Sequence, residues 1–168
     1  MSTKKMAIVG LFAAIAFAVM FLEFPIFPAA NFLKYDPSEI FALLASLPYG
    51  FGAGTAVIIV KDILFYFAKS GDIVGIAMNA AAGIMFIGFA LLFWKRGKII
   101  AGIASVLLTT AGLSAINAVV VPLYLHLPFK AYMSFLPWIV AFNLVKFSIN
   151  YILSVLLYRY TEKVFRLG

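Results

Sequence analysis

Three asparagines and one lysine stand out as the residues most able to do chemistry, because they interrupt strongly apolar stretches: Asn79, Asn117, Asn143 and Lys146. A polar group buried among apolar side chains is costly unless it has a partner or a ligand. Asn143 and Lys146 are three residues apart, so a helix presents both on one face. An amide donates and accepts hydrogen bonds at once, and a lysine adds a cation. The set predicts a pocket for a neutral, polar or amide-bearing ligand, although a single asparagine can also serve to join helices.

The sequence carries no set of residues typical of catalysis. It has no cysteine and one histidine, His126, which excludes thiolate chemistry and makes a histidine metal site improbable. It also lacks paired carboxylates, a Ser/His/Asp set, an H-E-x-x-H motif and a G-x-x-x-x-G-K-[ST] phosphate loop. We therefore predict that the chain is not an enzyme and needs no metal or cofactor, that it does not hydrolyse ATP, and that any active uptake requires an energising partner.

Composition places these polar residues inside a membrane. The chain has 168 residues, of which 65% are hydrophobic and 11% charged, whereas a soluble domain carries about a quarter charged residues. The expected surroundings are therefore a lipid bilayer. The net charge of +7 then indicates basic cytoplasmic loops rather than a nucleic-acid partner.

The apolar runs predict an all-α integral membrane protein with one domain, residues 1–168, because backbone groups in lipid must be satisfied within each segment. The second segment is short for a bilayer that takes about 20 helical residues to cross, and the first is read as a retained span rather than a cleaved signal. The six predicted segments are Met6–Leu22, Pro37–Leu47, Phe51–Phe67, Ile73–Trp94, Ile99–Leu123 and Pro137–Tyr160.

The basic residues predict the orientation of the bundle. With six spans, eight of them fall on one side, which places both termini in the cytoplasm and the loop before the second segment outside. Those eight are Lys4, Lys5, Lys95, Arg96, Lys98, Arg159, Lys163 and Arg166.

The outer loop ends in N-F-L-K-Y-D-P-S-E-I, starting at residue 31. Asp36 as N-cap, Pro37 at the first helical position and Glu39 three residues after Asp36 form the pattern of a capping box. The preceding F-P-I-F-P-A-A is stiff and apolar, and it suits either a lid over a cavity or an anchor at the membrane interface.

Two further features concern neighbouring helices. Lys61 and Asp62 are adjacent and are not expected to face each other on one helix, so each should pair with another helix or lie near an interface, with Lys61 snorkelling. Gly10, Ala14 and Ala18 recur every four residues, a stripe that allows another helix to approach closely.

Several of these motifs, in this order, resemble the substrate-binding S components of energy-coupling factor (ECF) vitamin transporters, of the riboflavin-specific kind. The most specific is L-K-Y-D-P-S-E-I, and the Asn143–Lys146 pair supports it. The resemblance covers nearly the whole chain and rests on L-K-Y-D-P-S-E-I, V-K-D-I-L, G-I-A-M-N, N-A-V-V-V-P-L-Y and N-L-V-K.

The resemblance implies a protein of the prokaryotic plasma membrane that binds riboflavin from outside, with the first external loop as a cap. It further implies that the stripe of Gly10, Ala14 and Ala18 docks on a transmembrane coupling subunit, which works with two ATPase subunits. The implied ligand contacts are Leu33, Lys34, Gly75, Asn79, Asn117, Asn143 and Lys146.

Other readings remain open. An S component for biotin or thiamine keeps the fold and changes the vitamin, and the phosphorylated flavin FMN is not separated from riboflavin. A structural subunit, with asparagines that only join helices, predicts no saturable ligand binding, and a membrane enzyme is the weakest alternative.

Overall fold

Six α-helices make up most of the computed structural model, which describes residues 3–30, 33–69, 72–124, 126 and 128–166. Five of them are long and apolar enough to cross a membrane, and α2 is shorter. The helices are α1 Thr3–Met20, α2 Glu39–Tyr49, α3 Phe51–Lys69, α4 Ile73–Trp94, α5 Lys98–Tyr124 and α6 Phe129–Arg166. The predicted all-α, multi-pass membrane fold is confirmed.

A short antiparallel hairpin between α1 and α2 was not predicted. Strand β1, Phe24–Pro25, pairs with strand β2, Lys34–Tyr35, so that Phe24 lies opposite Tyr35. A 3-10 turn at Pro28–Ala30 lies between the strands. Two residues per strand are too few to produce a readable alternation of apolar and polar side chains.

The contacts between helix ends define two ends of the bundle. At one end, which we call the terminal end, the Lys5 ammonium of α1 donates to the Tyr49 carbonyl of α2 at 2.8 Å, and Trp94 of α4 contacts Tyr158 of α6. At the other, which we call the hairpin end, Tyr124 of α5 donates to Asp72, just before α4, at 2.8 Å. The start of α1 and the end of α6 therefore lie at the terminal end, which the basic residues predict to be cytoplasmic.

Helix α2 occupies the centre of the bundle. It packs against α1, α3, α4 and α6, and Ala42, Leu43 and Ala45 on it are fully buried. Its 11 residues span only about 16 Å at 1.5 Å per residue. Tyr35, Asp36 and Ser38, which precede α2, are buried, so this part of the chain reaches into the bundle.

The predicted segment boundaries hold to within two residues except at the start of α1, which lies three residues earlier than predicted, and at both ends of α6. Helix α6 begins at Phe129 rather than Pro137, and Pro137 lies inside it. The prediction placed the start too late because polar residues in the first turns lower the local hydropathy. Helix α2 begins at Glu39 rather than Pro37, with Ser38 in the N-cap position.

The close approach of α2 and α3 depends on Gly54. A Cβ atom built there would lie 2.6 Å from the Ala42 carbonyl oxygen and 2.9 Å from Ile87 Cδ1. We expect Gly54→Ala to lower the free energy of unfolding by about 1–3 kcal/mol, the usual cost of overpacking. Thermal unfolding in detergent would measure it. Gly52→Ala is the matched control, because a Cβ there meets nothing within 4 Å; an equal loss in both variants would contradict the argument.

Candidate ligand-binding site

Lys146 lies at the centre of the polar groups beneath the hairpin. It projects from the middle of α6, and its ammonium nitrogen is 3.0 Å from Asp36 Oδ2, 3.5 Å from Glu39 Oε2 and 3.4 Å from Asn79 Oδ1. Its side chain is 6% exposed. One cation thus joins the segment after the hairpin, the start of α2 and α4.

Lys61 of α3 forms the second half of the same network. Its ammonium nitrogen is 2.9 Å from Asp62 Oδ1 and 3.6 Å from Glu39 Oε1. Asn79 Nδ2 also donates to Asp62 Oδ1, at 3.0 Å, which connects this half to Lys146. We call the six residues the buried polar cluster: Asp36, Glu39, Lys61, Asp62, Asn79 and Lys146.

The prediction that Lys61 and Asp62 do not face each other was wrong, and so was the snorkelling of Lys61. The Lys61 side chain is fully buried. Because α3 packs against α1, α2 and α4, a wide arc of its surface faces protein, and two adjacent positions can both point inward. The flexible lysine chain then brings its ammonium group back to the neighbouring carboxylate.

The prediction of a capping box at Asp36 and Glu39 was also wrong. The Asp36 carboxylate accepts from the Ser38 backbone N–H at 3.1 Å and from the Ser38 hydroxyl, and the helix starts only at Glu39. The Glu39 side chain is fully buried and points to the two lysines instead of returning to the backbone of Asp36. Because the sequence pattern fitted a capping box, the roles of Asp36 and Glu39 in the cluster were not predicted.

The charge of Lys146 keeps Asp36 ionised. Burial acts to raise the pKa of Asp36, but the Lys146 and Lys61 ammonium groups and the hydrogen bonds outweigh it, so the pKa lies below its ordinary value. A carboxyl group with a lowered pKa stabilises the fold above its ordinary pKa of about 3.9, and this stabilisation is lost as the pH falls toward the folded value. The contact between the hairpin segment and α6 is thus present throughout the neutral range.

The cluster contains more carboxylates than ammonium groups, three against two. Glu39 Oε1 and Asp62 Oδ2 are buried and have no hydrogen-bond donor among the described residues. The 3.6 Å from Glu39 Oε1 to the Lys61 nitrogen is an ion-pair distance, too long for a hydrogen bond. Two acceptor oxygens are therefore available to the N–H or O–H groups of a ligand.

Tyr35 and Asn150 extend the cluster and were missed. The Tyr35 hydroxyl donates to Asn150 Oδ1 at 2.9 Å, and Asn150 Nδ2 donates to Glu39 Oε2 at 3.3 Å. Burial, followed by the nearby Glu39 and Asp36 charges, raises the pKa of Tyr35 to about 12, so the hydroxyl stays protonated. Asn150 could have been found, because positions 143, 146 and 150 share one helix face.

The hairpin covers the hairpin end of the bundle over this cluster. Phe27 contacts Trp138 of α6 with 5.7 Å between ring centroids. Lys34 pairs with Glu23 at 2.8 Å, and Glu23 also pairs with Lys69 at the end of α3. These contacts to α3 and α6 support the interpretation of the hairpin as a lid rather than as an anchor at the membrane interface.

Some of the predicted site residues lie in or next to the buried polar cluster, and the others lie outside it. Asn79 and Lys146 are in contact, and Asn143 is buried one turn before Lys146. Gly75 instead belongs to the α4 cap, where its N–H donates to Asp72 Oδ2 at 2.9 Å, and Asn117 is half-buried on α5 with no hydrogen bond to another described residue. In the hairpin, Leu33 is half-buried and Lys34 is exposed and ion-paired with Glu23 rather than with the cluster.

This fold defines a membrane protein in which a short hairpin lies over a buried charged cluster. A family model described as "ECF transporter, substrate-specific component" matches residues 4–158. A solved structure described as the S component of a bacterial ECF transporter has a TM-score of 0.85 and 31% identity, with 96% of each chain covered. The chain belongs to the family of substrate-specific components of ECF transporters.

Curated relatives carry more specific names. The riboflavin transporter RibU of Staphylococcus aureus is 32% identical over 93% of this chain and 89% of its own length. The riboflavin transporter FmnP of Bacillus subtilis is 35% identical over 71% of this chain and 65% of its own length. RibU of Streptococcus thermophilus is 28% identical over 73% of this chain. The matched region spans slightly less than two thirds of the last two relatives, 65% and 63% of their lengths.

Proposed function

We propose that this protein binds riboflavin at the hairpin end of the bundle and delivers it as the substrate-specific subunit of an ECF transporter. The observation that carries the proposal is the contact of Asn79 and Lys146 beneath the hairpin, in a chain whose similar proteins include riboflavin transporters. The predicted extracellular position of the hairpin end would make this an uptake site.

The chemistry of riboflavin suits the groups present. The isoalloxazine ring has a flat apolar body and one amide-like edge, which Asn79 and Asn143 can match because an amide both donates and accepts. The ribityl hydroxyls can donate to Glu39 Oε1 and Asp62 Oδ2, which otherwise lack donors. Aromatic side chains of the lid and of α6, such as Phe27 and Trp138, offer apolar walls of the kind that flat ligands prefer.

Entry of the ligand requires the lid to move. Asp36 holds the end of the hairpin segment against Lys146 at 3.0 Å, and both side chains are buried. In this proposal the ligand enters above Lys146, and the lid then closes over it. The Lys146 ammonium group would be shared between Asp36 and a ring carbonyl or a ribityl oxygen.

The stripe on α1 is available to a coupling subunit. Gly10, Ala14 and Ala18 are exposed, whereas Ala13 and Ala16 on the same helix are buried in the bundle. Small residues that do not serve internal packing allow a foreign helix to approach closely. We propose that this surface docks on the transmembrane subunit and that two separate ATPase subunits supply the energy, since the sequence has no phosphate loop.

The binding experiment uses the purified full chain in detergent. An absorbance scan should show a yellow preparation, and titration into riboflavin should quench the flavin fluorescence to a one-to-one end point. A colourless preparation that causes no quenching would contradict riboflavin as the ligand and leave the family assignment standing.

Asn79→Ala should weaken riboflavin binding about tenfold, the equivalent of roughly 1.4 kcal/mol, because a neutral hydrogen bond is worth about 0.5–1.5 kcal/mol. Asn143→Ala should do the same. Fluorescence titration would give the dissociation constants, with Ser134→Ala as the control, since Ser134 is exposed near the start of α6. Unchanged affinity in both asparagine variants would place the ligand elsewhere.

Thiamine is the second candidate, and the charge of the cluster favours thiamine over biotin and FMN. Lys146 is already neutralised by Asp36 and Glu39, so the site offers no spare positive charge to the anionic biotin or to FMN. The one carboxylate in excess would suit a cation. Competition decides: thiamine that displaces riboflavin at equal concentration would favour this alternative, and thiamine without effect would exclude it.

A further inference from the structure

A groove between α5 and α6 lies outside the ligand site, in the half of the bundle at the terminal end. It has a volume of about 570 Å³, and its walls are mainly aliphatic, with Ile103 and Leu107 on one side and Ile152 and Leu156 on the other. All four side chains are exposed to the surroundings of the bundle. In a bilayer this groove opens directly to the acyl chains.

The groove is basic at one end only. Lys98 begins α5 and Arg159 lies in the last turns of α6, so both stand at the terminal end, and both are exposed. None of the described residues that line the groove is acidic. The Lys98 ammonium also lies 5.8 Å from the centre of the Trp94 ring, and tryptophan is typical of the level of the lipid headgroups.

The groove also lies on a different face from the stripe of Gly10, Ala14 and Ala18. Helix α1 packs chiefly on α2 and α3, whereas the groove is formed by α5 and α6. A subunit that docks on the α1 stripe would therefore leave the groove facing lipid. An apolar channel that ends in two cations matches one occupant by charge and shape, an anionic phospholipid.

We propose that the α5–α6 groove binds an anionic phospholipid of the leaflet at the terminal end, with an acyl chain along Ile103 and Leu107 and the phosphate between Lys98 and Arg159. Arginine and lysine form charge-assisted hydrogen bonds to phosphate, and basic pockets between membrane helices are suited to anionic headgroups. A zwitterionic lipid would fill the apolar part equally well but gain less from the two cations.

The test is native mass spectrometry of the full chain in mild detergent, titrated with phosphatidylglycerol or with phosphatidylcholine of the same acyl chains. Phosphatidylglycerol should remain bound at lower concentration than phosphatidylcholine. Lys98→Ala with Arg159→Ala should weaken phosphatidylglycerol binding roughly 25-fold, since each basic residue near an anionic lipid contributes about a factor of five. The variant should fold, because the Tyr151 hydroxyl is bonded to the backbone carbonyl of Lys98 and not to its side chain.

The matched control is Lys95→Ala with Arg96→Ala, which removes the same charge from the same end but outside the groove. It should keep wild-type phosphatidylglycerol binding. Equal retention of the two lipids, or equal loss in both double variants, would overturn the proposal. So would unchanged lipid binding in the groove variant together with a changed oligomeric state or lost assembly with coupling subunits, which would make the groove a protein interface.

Discussion

Lys146→Ala is expected to abolish measurable riboflavin binding and to lower the free energy of unfolding by about 3–5 kcal/mol, the cost of removing one partner from a buried ion pair. Lys146 is the cation closest to Asp36 and, with Lys61, one of two near Glu39. Without it, the three buried carboxylates of the cluster would share the Lys61 ammonium group alone. The end of the hairpin segment would lose its fixed point on α6, so the lid over the ligand would lose its closed position as well.

Fluorescence titration would measure the first effect and thermal unfolding the second. Lys130→Ala is the control, because Lys130 is an exposed lysine on the same helix and should change neither. Lys146→Arg keeps the charge and should recover most of the stability but less of the affinity, because a guanidinium group has a different shape. Wild-type affinity in Lys146→Ala would contradict the role of this lysine in binding.

Lys61→Met is expected to destabilise the protein by a similar amount, about 3–5 kcal/mol, and yet to leave the affinity of the folded fraction within a few-fold of wild type. Lys61 of α3 is buried against α1 and α2, with Met20 Sδ 3.7 Å from its nitrogen. It touches Asp62 and Glu39 but not the hairpin strands. The two lysines of one cluster thus have separable roles: Lys146 holds the lid, and Lys61 balances the charge below it.

The measurement is a pair of curves for each variant, thermal unfolding and riboflavin titration. Lys69→Ala on the same helix should lose less than about 1 kcal/mol, because its pair with Glu23 is exposed. Adding Asp62→Asn to Lys61→Met should restore part of the stability, since removing both charges is cheaper than removing one. A Lys61→Met variant as stable as wild type would show that the buried ion pairs do not support the fold.

Much of this protein could be predicted from local composition and spacing. The apolar runs gave six helices with most boundaries within two residues, because a bilayer requires long apolar helices whatever their neighbours are. The spacing of Asn143 and Lys146 placed them on one buried face of α6. The short second segment was recognised from its length, and motif order led to the ECF substrate-specific family, which the comparisons then showed.

The partners of the polar groups could not be read from the sequence. Asp36 and Glu39 formed an acceptable capping box, and only their packing against α6, more than 100 positions later in the chain, showed that they face Lys146. Lys61 and Asp62 were not expected to contact each other, because adjacent positions point in different directions on an isolated helix. That rule does not take into account that other helices cover a wide arc of α3. The sequence by itself determined which segments enter the membrane, since that depends on the transfer of each side chain into lipid. The tertiary structure decided which charges meet, because ion pairs between distant segments depend on how the helices pack and carry no periodic signal of their own.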